Sequence, residues 1–387
     1  MDGSHGRLDE AAGHEIGPDF ERFDQMNDMF TRAFWDPRVR SQDTDAFFAS
    51  YRSGFEARRG DGFTQKDFAL RNASWLVSDL ISNRAAERGL REGFQGAIER
   101  DTPVAETRVE PLEPSAQAAE IKKVARLFGA DLAAVTARDE RWHYARRPDT
   151  RGMTPVHDPI PDHLTHVIVM GHEMDLGLVD TYPSALAGAA TGREYSHEAA
   201  IAMQVAAYLR GLGWDAVASM NDSALVVPYA IQAGLGEYGR NQMVLTPEFG
   251  PRLRFSKVFT EMPMALDAPR ALGLTRYCRD CTICAEACPP KALPAGEPTY
   301  GTCDGSQSPS TIRGVRKWSA NCERCFGYWA KLRSDCAICV RVCPFNGAGW
   351  RWRIWRRLAL SPLRPLARWL TERRRRPRTK PSNWWSA

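Results

Sequence analysis

The spacing of apolar residues along the chain predicts helices that alternate with short buried strands. Apolar residues recur at intervals of three and four in three stretches, which predicts helices at residues 64–82, 115–128 and 197–210. Short apolar runs rich in β-branched residues predict buried strands at residues 131–137, 166–175, 215–219 and 253–262. This alternation predicts an α/β body that occupies most of the first 265 residues.

Outside these elements the chain changes character at three places. Residues 19–37 are dense in aromatic side chains, and we expect this arm to pack on the body. Residues 263–275 have the composition of a linker, and the proline- and glycine-rich stretch that follows predicts a loop-rich module. We therefore divide the chain into a body with its N-terminal arm (1–265), a smaller module (266–350) and a basic tail (351–387).

The overall composition is typical of a soluble globular protein. The 387 residues are 43% apolar and 26% charged. No apolar run approaches the roughly 18 residues that a membrane-spanning helix needs. The N-terminal sequence has neither the apolar core of a signal peptide nor a twin arginine, so we expect a cytoplasmic protein.

The net charge of +5 is unevenly distributed, because the tail carries eleven Arg, one Lys and one Glu while the remainder is mildly acidic. The tail interleaves these arginines with tryptophan and leucine, a pattern that predicts peripheral contact with an anionic membrane surface. Nucleic acid is the competing partner, and a disordered tail is the third interpretation, which its four prolines favour.

All ten cysteines lie between residues 278 and 343. Apart from Cys303 and Cys322, they form two runs, Cys278-x2-Cys281-x2-Cys284-x3-Cys288-Pro and Cys325-x10-Cys336-x2-Cys339-x3-Cys343-Pro. The first run has the bacterial ferredoxin spacing for a [4Fe–4S] cluster, in which the cysteine before proline serves the other cluster of a pair. Zinc sites favour paired two-residue spacings without that ending. The spacing therefore predicts two [4Fe–4S] clusters, one held by Cys278, Cys281, Cys284 and Cys343 and the other by Cys288, Cys325, Cys336 and Cys339.

Two low-potential clusters deliver electrons to an acceptor, and residues 221–263 are the most unusual part of the body. The glycines of this segment suit a backbone that passes close to a bulky ligand. They do not form a dinucleotide fingerprint, because no clear strand precedes them and no clear helix follows. We assign cofactor binding in this segment to Gly234, Gly236, Gly239 and Asn241.

Several longer stretches together resemble the corrinoid-dependent reductive dehalogenases. The matching stretches are RFDQMNDMFTRAFWD (22–36), KDFALRNASW (66–75), IKKVARLFGADL (121–132), PSALAGAATGREYS (183–196), AGLGEYGRNQMVLTPEFGPRLR (233–254) and CFGYWAKLRSDCAICVRVCPFN (325–346). The resemblance implies a nitroreductase-like α/β (α+β) body that binds cobalamin, followed by a bacterial ferredoxin-like module with two [4Fe–4S] clusters. It also favours Cys325 over Cys322 as a ligand, because the aromatic residues that follow Cys325 match the family pattern. Cys303 and Cys322 are then spare thiols.

The family's active-site residues fall on three positions of this chain. Its tyrosine falls on Tyr195, its asparagine on Asn221 and its arginine on Arg254. The resemblance implies that Tyr195 donates a proton, that Arg254 stabilises the phenolate which remains, and that Asn221 orients the same group. Met243 and Tyr238 depart from the family pattern, which leaves the shape of the substrate open.

The implied reaction is an oxidoreduction that replaces carbon–halogen by carbon–hydrogen in a small organohalide. The difficult step is carried by cobalamin in its Co(I) state, and an external low-potential donor supplies the electrons through the clusters. Two alternatives use the same cysteines: an epoxyqueuosine reductase, which acts on tRNA, and an electron-transfer protein without its own substrate. Both enzymes would bind a corrinoid, whereas the electron-transfer protein would not, so the presence of bound corrinoid distinguishes these hypotheses.

Overall fold

The computed structural model describes residues 3–51, 60–87, 89–90, 102–157, 160–302, 304–373 and 384–386. In chain order its helices are α1 (Gly3–Ala12), α2 (Met29–Trp35), α3 (Gln42–Ala49), α4 (Gln65–Ala86), α5 (Pro114–Phe128), α6 (Leu176–Val179), α7 (Ala185–Gly211), α8 (Val226–Gln232), α9 (Leu274–Asp280), α10 (Ile283–Ala287), α11 (Cys322–Leu332), α12 (Ile338–Arg341), α13 (Gly349–Ala359) and α14 (Arg364–Arg373). The strands are β1 (Glu15–Ile16), β2 (Leu132–Ala137), β3 (Arg147–Asp149), β4 (Thr154–Val156), β5 (His166–Glu173), β6 (Ala216–Ser219), β7 (Glu237–Tyr238), β8 (Val244–Leu245), β9 (Leu253–Thr260) and β10 (Val315–Arg316).

A four-stranded antiparallel sheet forms the centre of the body, in the order β2-β5-β9-β6. Alternate residues of its strands face opposite sides, as the pleat requires. Ile168, Met170 and Val258 pack with helices α5 and α7 on one side, whereas Val167 and Phe259 pack with helix α8 on the other. Because both faces are covered, the strands are continuous apolar runs, which is how they were recognised in the sequence.

Helix α4 packs along helix α7 and forms an outer layer beyond the sheet. The close approach depends on Gly192, where an added methyl group would overlap Ser74 and Trp75 of α4. Helix α4 begins at a capping box in which Thr64 and Asp67 each accept a backbone hydrogen bond from the other. These contacts bring Trp75 against the middle of α7.

The cysteine-rich module contains helices α9, α10, α11 and α12, with α10 and α12 in mutual contact. The N-terminal part of the chain holds this module from outside. Strand β1 pairs with strand β10, and Phe47 of α3 packs on Phe326 of α11. Arg32 of α2 is buried between Asp36 and Glu323.

The structure confirms the three predicted helices and the four predicted strands, with one large change of length. Helix α7 begins at Ala185, twelve residues before the predicted start at residue 197. Its first two turns are made of small residues that are buried on nearly every side, so they show no contrast between an apolar and a polar face.

The structure adds detail at both ends of the chain. The aromatic arm (19–37) packs on the body, as expected, and also on the cysteine-rich module: Phe20 and Phe23 join the sheet core, and Ala33 packs on helix α11. Among the described residues of the tail, residues 349–373 form helices α13 and α14, which pack on the same module.

Candidate active site and cysteine cavities

Tyr195 lies on helix α7, and its ring is held on two sides. The ring centroids of Tyr195 and Trp75 are 4.7 Å apart, and the guanidinium carbon of Arg254 lies 5.1 Å from the Tyr195 centroid. The phenol oxygen accepts a hydrogen bond from Nδ2 of Asn221. The structure therefore brings together the three residues assigned to catalysis, from one helix, one turn and one strand.

Asn221 is fixed by the groups that hold its own backbone. Nζ of Lys257 donates to the carbonyl oxygens of the two flanking residues, at 2.5 Å from Met220 and 3.2 Å from Asp222. The carboxylate of Asp222 accepts from the Met220 amide at 2.6 Å, and the hydroxyl of Tyr144 donates to the Asn221 carbonyl at 2.7 Å. Since the ammonium group of Lys257 is fully buried, it has little freedom to leave these carbonyls.

Arg254 extends from strand β9, directly opposite His172 of strand β5. Burial alone would lower the pKa of its guanidinium, but the oxygens of Tyr195, Tyr182 and Glu198 outweigh burial and raise that pKa. Its Nε is buried and has no hydrogen-bond acceptor within the part of the chain that the structure describes. Arg254 is therefore a permanent cation beside Tyr195 with one donor still available.

Two more ionisable groups near this site titrate close to neutral pH. Burial raises the pKa of Glu194 to about 7, although Arg193 opposes the shift and donates to the Glu194 carboxylate at 2.8 Å. Burial lowers the pKa of Lys257 to about 8, and the charges of Asp222 and Glu198 limit that fall. Such shifts accompany the burial of charged groups at functional sites.

These contacts favour a proton donor at Tyr195. The Asn221 amide and the Arg254 cation both stabilise a negative charge on the phenol oxygen more than they stabilise the neutral phenol. Trp75 covers one face of the ring and limits the access of water to it.

Four cysteines line a small cavity in the cysteine-rich module, together with Leu245, Tyr277 and Phe345. They are the set predicted for the first cluster, Cys278, Cys281, Cys284 and Cys343. Burial raises the pKa of the Cys278 thiol to about 12, so its deprotonated form requires a compensating cation. The wall is apolar apart from the thiols and the side chain of Asn241.

The remaining four predicted ligands form a second, adjacent group. Burial and then the charges of Cys336 and Cys288 raise the pKa of Cys339, and Cys325 lies close to Cys288 and Cys339. Within the described residues, no three His, Cys, Asp or Glu side chains converge closely enough for a single metal ion.

Of the two cysteines not assigned to a cluster, the structure describes only Cys322. Cys322 lies one helical turn before Cys325, and its Sγ contacts the carbonyl oxygens of Ser310 and Ala320. Its charge acts on Lys317 and Tyr238, and also on Cys325 of the second group. Cys303 lies outside the described residues.

A buried arginine ties the body to the first cysteine loop. Arg240 donates to backbone carbonyls on both sides of its guanidinium, including Cys278 at 2.9 Å and Cys281 at 2.8 Å. It also lies over the Trp318 ring, 4.9 Å from the centroid. The neighbouring Asn241 is 3% exposed, and its Nδ2 has no hydrogen-bond acceptor within the described chain. A donor aimed at a cavity of thiols fits the sulfur atoms of a cluster.

A large cavity of about 790 Å³ lies between the body and the cysteine-rich module. Asn221 and Trp142 lie in its wall on the body side, and Lys317 and Trp318 lie in its wall on the module side. Its volume falls in the range of cofactor sites. Asn221 belongs to the predicted catalytic set, and Trp318 is buried in the same hydrophobic cluster as Cys278. The cavity therefore adjoins both the Tyr195 site and the surroundings of the first cysteine group.

The residues assigned to cofactor binding lie beside this cavity and not in its wall. A side chain at Gly234 would meet the Ala268 carbonyl, and one at Gly236 would meet the Leu245 carbonyl. Gly239 packs on the Leu245 side chain. The close approach that these glycines permit is therefore to other parts of the protein itself, to backbone at Gly234 and Gly236 and to a side chain at Gly239. A direct role in cofactor binding stays a prediction.

Sequence reasoning did not identify Trp75, Lys257 or Arg240 as parts of these sites. In the sequence, Trp75 is one of several apolar residues on a predicted helix, and nothing in its spacing marks it as a neighbour of Tyr195. A lysine inside an apolar strand was the available signal for Lys257, since charged residues are rarely buried without partners. The carbonyls that Arg240 binds come from residues 278–296, so no local pattern reveals them.

The comparisons with known proteins find similar sequences in two enzyme families. Residues 155–264 match the family described as "Reductive dehalogenase subunit". The tetrachloroethene reductive dehalogenase of Desulfitobacterium hafniense is 36% identical over 265 residues, which is 58% of this chain and 47% of that protein. The epoxyqueuosine reductase of Leadbetterella byssophila is 27% identical over 135 residues, 32% of this chain and 39% of that protein.

Solved structures support the fold of this chain. A solved structure of the catabolic reductive dehalogenase NpRdhA, in complex with 3-bromo-4-hydroxybenzoic acid, matches 92% of this chain and 46% of that chain, with a TM-score of 0.66 and 21% identity. The chain thus spans about half the length of the relatives that it matches. These findings confirm the predicted resemblance and show a mixed α/β fold shared with reductive dehalogenase structures.

Proposed function

We propose that this chain, whose residues 155–264 match the reductive dehalogenase family, is an oxidoreductase. Its proposed reaction replaces a carbon–halogen bond by a carbon–hydrogen bond in a small organohalide. The observation that carries the proposal is the contact of Tyr195 with Asn221 and Arg254, beside a large cavity and two groups of buried cysteines. The relatives named above supply the class of reaction.

The reaction consumes two electrons and one proton and releases halide. Bound corrinoid supplies a low-valent cobalt that can reduce the carbon–halogen bond, and bound [4Fe–4S] clusters supply the electrons. We propose that the cavity between the body and the module holds the corrinoid, in a nitroreductase-like body. The cysteine-rich module is then ferredoxin-like, with the two ligand sets given by the spacing of its cysteines.

The protein's own residues have three tasks in this scheme. Tyr195 holds the proton at its phenol oxygen and gives it to the carbon that loses the halogen. Asn221 and Arg254 stabilise the phenolate that remains, and the available Nε of Arg254 can bind an acceptor on the substrate or the departing halide. Lys257 keeps Asn221 within reach of the phenol oxygen.

The electron route follows from the arrangement of the cysteines. The two groups are adjacent, since the charge of Cys339 of the second group acts on Cys284 of the first. We infer that the first group lies nearer to the large cavity, because Trp318 lies in the wall of that cavity and is buried in the same hydrophobic cluster as Cys278 and Cys343. We therefore propose that Cys278, Cys281, Cys284 and Cys343 would hold the cluster nearer to the cofactor cavity, and that an external low-potential donor would supply the electrons.

Anaerobic assay of the reconstituted full chain tests this function. Reduced methyl viologen is the donor, and a panel of haloalkenes and haloarenes is the substrate. Tyr195→Phe should lower the rate by roughly 10²–10⁴-fold while cobalt and iron contents stay unchanged, as expected for loss of a general acid. The matched control is Tyr208→Phe on the same helix, whose hydroxyl binds only Glu120 at 3.1 Å among the contacts described and should leave the rate unchanged.

Three outcomes would contradict the proposal. Full activity in the Tyr195→Phe variant would remove Tyr195 from proton transfer. Turnover of tRNA that contains epoxyqueuosine, without turnover of any organohalide, would assign the chain to the second enzyme class. A chain that takes up iron but no cobalt would support the electron-transfer hypothesis.

A further inference from the structure

Residues 349–373 form a helical hairpin, α13 and α14, whose inner face is well packed. Trp355 stacks edge-on against Tyr277 and Phe345, with ring centroids 5.9 Å and 5.2 Å away. Ala359 and Ala367 are buried in the same cluster as the thiol of Cys278. This C-terminal hairpin therefore covers the outside of the first cysteine cavity.

Polar contacts hold the hairpin in the same place. Arg368 donates to the Asp280 carbonyl at 2.9 Å, and both Arg364 and Arg368 lie near the Asp280 carboxylate. Trp355 donates from its indole nitrogen to the Ala367 carbonyl at 3.1 Å, which ties the two helices together. The hairpin is thus a fixed part of the module.

The outer face of the hairpin is unusually apolar for a surface. Five large side chains on it are between 46% and 66% exposed, namely Trp350, Ile354, Leu363, Leu366 and Trp369. Those on each helix recur at intervals of three or four residues, so each helix presents its apolar side chains along one side. Isolated exposed apolar residues are common, but a group of this size marks an interaction surface.

Positive charge surrounds these apolar residues. The hairpin contains seven arginines and a single acidic residue, Glu372. Arg351 and Arg373 lie over the rings of Trp350 and Trp369, at 5.2 Å and 3.9 Å from the ring centroids. Residues 1–350 carry a net negative charge, so an anionic surface attracts this end of the molecule and repels the other.

We propose that the outer face of the hairpin binds the surface of an anionic lipid bilayer. Tryptophan and leucine interleaved with arginine suit the interface between headgroups and acyl chains, where arginine meets phosphate and tryptophan lies at the headgroup level. Nucleic acid would use the arginines but leave the exposed Ile354, Leu363 and Leu366 in water. Among the described residues no helix is long and apolar enough to cross a membrane, so the contact is peripheral.

The proposed contact would also fix where the first cysteine cavity lies relative to the bilayer. The hairpin is one helix layer thick, about 10 Å, and the first cysteine cavity lies directly beneath it. Docking of the outer face therefore places that cavity next to the bilayer, with the body directed away. The membrane contact stands independently of the substrate proposed above, because it depends only on the hairpin.

Vesicle co-sedimentation with the purified full chain, loaded with its cofactors, tests the proposal. Vesicles of phosphatidylcholine alone are compared with vesicles that also contain phosphatidylglycerol. We expect binding only to the anionic vesicles, weakened by high salt as surface electrostatics requires. Tryptophan fluorescence should shift to shorter wavelength when these vesicles are added.

Two variants separate the charged and the apolar contributions. Arg351→Gln/Arg353→Gln/Arg357→Gln should weaken binding to anionic vesicles roughly tenfold or more, since each arginine near the surface contributes on the order of 1 kcal/mol. Trp350→Ala/Leu366→Ala/Trp369→Ala should weaken it to a similar degree and abolish the fluorescence shift. The control Leu76→Ala/Leu80→Ala removes two residues of α4 that are 56% and 61% exposed and should bind as the wild type does.

Three results would overturn the proposal: equal binding to neutral and anionic vesicles, equal loss in the α4 control, or binding to RNA or to a second copy of the chain without binding to vesicles. Dehalogenation of a soluble substrate by both hairpin variants should match the wild type. Their activity therefore separates failure of the membrane contact from failure of the proposed reaction.

Discussion

The cysteine cavities and the Tyr195 site reach their geometry in different ways. The cysteines come from 66 consecutive positions, residues 278–343. Their spacing, together with the family pattern that favours Cys325 over Cys322, assigns eight of them to two groups, and the four of the first group line one cavity. Tyr195, Asn221 and Arg254 come from separate elements of the body and meet only because the helix α7 packs on strand β9. The spacing of cysteines along one loop is enough to predict which of them lie together. The geometry of a site made by tertiary packing depends instead on supporting residues that do not touch the substrate.

The largest expected effect concerns the cysteines, because each ligand belongs to a whole cluster. Cys284→Ala and Cys325→Ala should each lower the iron content from about eight to about four atoms per chain, since a cluster with three ligands is lost. Cys322→Ala should keep all the iron, because its thiol contacts backbone carbonyls outside the second group. Iron analysis with electron paramagnetic resonance measures both. Iron loss in Cys322→Ala but not in Cys325→Ala would exchange the two assignments.

The second effect tests whether the Tyr195 site depends on its support. Lys257→Met keeps the length of the side chain but leaves the Met220 and Asp222 carbonyls without their ammonium donor, at a cost of about 1–3 kcal/mol. The midpoint of thermal unfolding should fall, and activity should fall further than stability because Asn221 loses its anchor. Lys122→Met, which removes a partly exposed contact with Asp267, should cost below about 1 kcal/mol. Unchanged activity in Lys257→Met would show that Asn221 needs no such anchor.

The third effect is a pH dependence of stability, which we expect from the Tyr195 region of the body and not from the cysteine cavities. The pKa of Glu194 is raised from 4.5 to about 7 by burial, so the folded state favours its neutral form. Its contribution to stability is complete below pH 4.5 and is lost as the pH rises through about 7. Glu194→Gln stays neutral, so it should gain about 1–3 kcal/mol relative to the wild type between pH 4.5 and pH 8. A difference between the two proteins that does not vary with pH would contradict this prediction.

The smallest effect concerns the residue that joins the two regions. Asn241→Leu removes the amide donor beside the first cysteine cavity and keeps a side chain of similar size. Loss of a hydrogen bond to cluster sulfur should make the potential of that cluster more negative, because the donor stabilises the reduced, more negative state. A redox titration followed by electron paramagnetic resonance should show one shifted cluster and one unshifted cluster, the latter as internal control. Two unchanged potentials would remove Asn241 from the cluster site.

The sequence by itself determined the elements of the body and the pairing of the cysteines. Continuous apolar runs identified the four central strands, because a sheet covered on both faces needs apolar residues at every position. The Cys-x2-Cys-x2-Cys-x3-Cys-Pro spacing identified the ligand groups, because one loop wraps one cluster. The resemblance to the reductive dehalogenases added the three residues of the Tyr195 site, which their types alone would not have selected.

Only the tertiary structure decided what supports those residues. Trp75 reaches Tyr195 because Gly192 lets two helices approach, and Lys257 reaches the Asn221 turn from a strand 36 positions later in the chain. The tail shows the same limit: its tryptophans and arginines indicated a membrane surface, but which of them face outward depends on how Trp355 packs beside Tyr277. Contacts between residues far apart in the chain leave no periodic pattern in the sequence, and for that reason the structure was needed to find them.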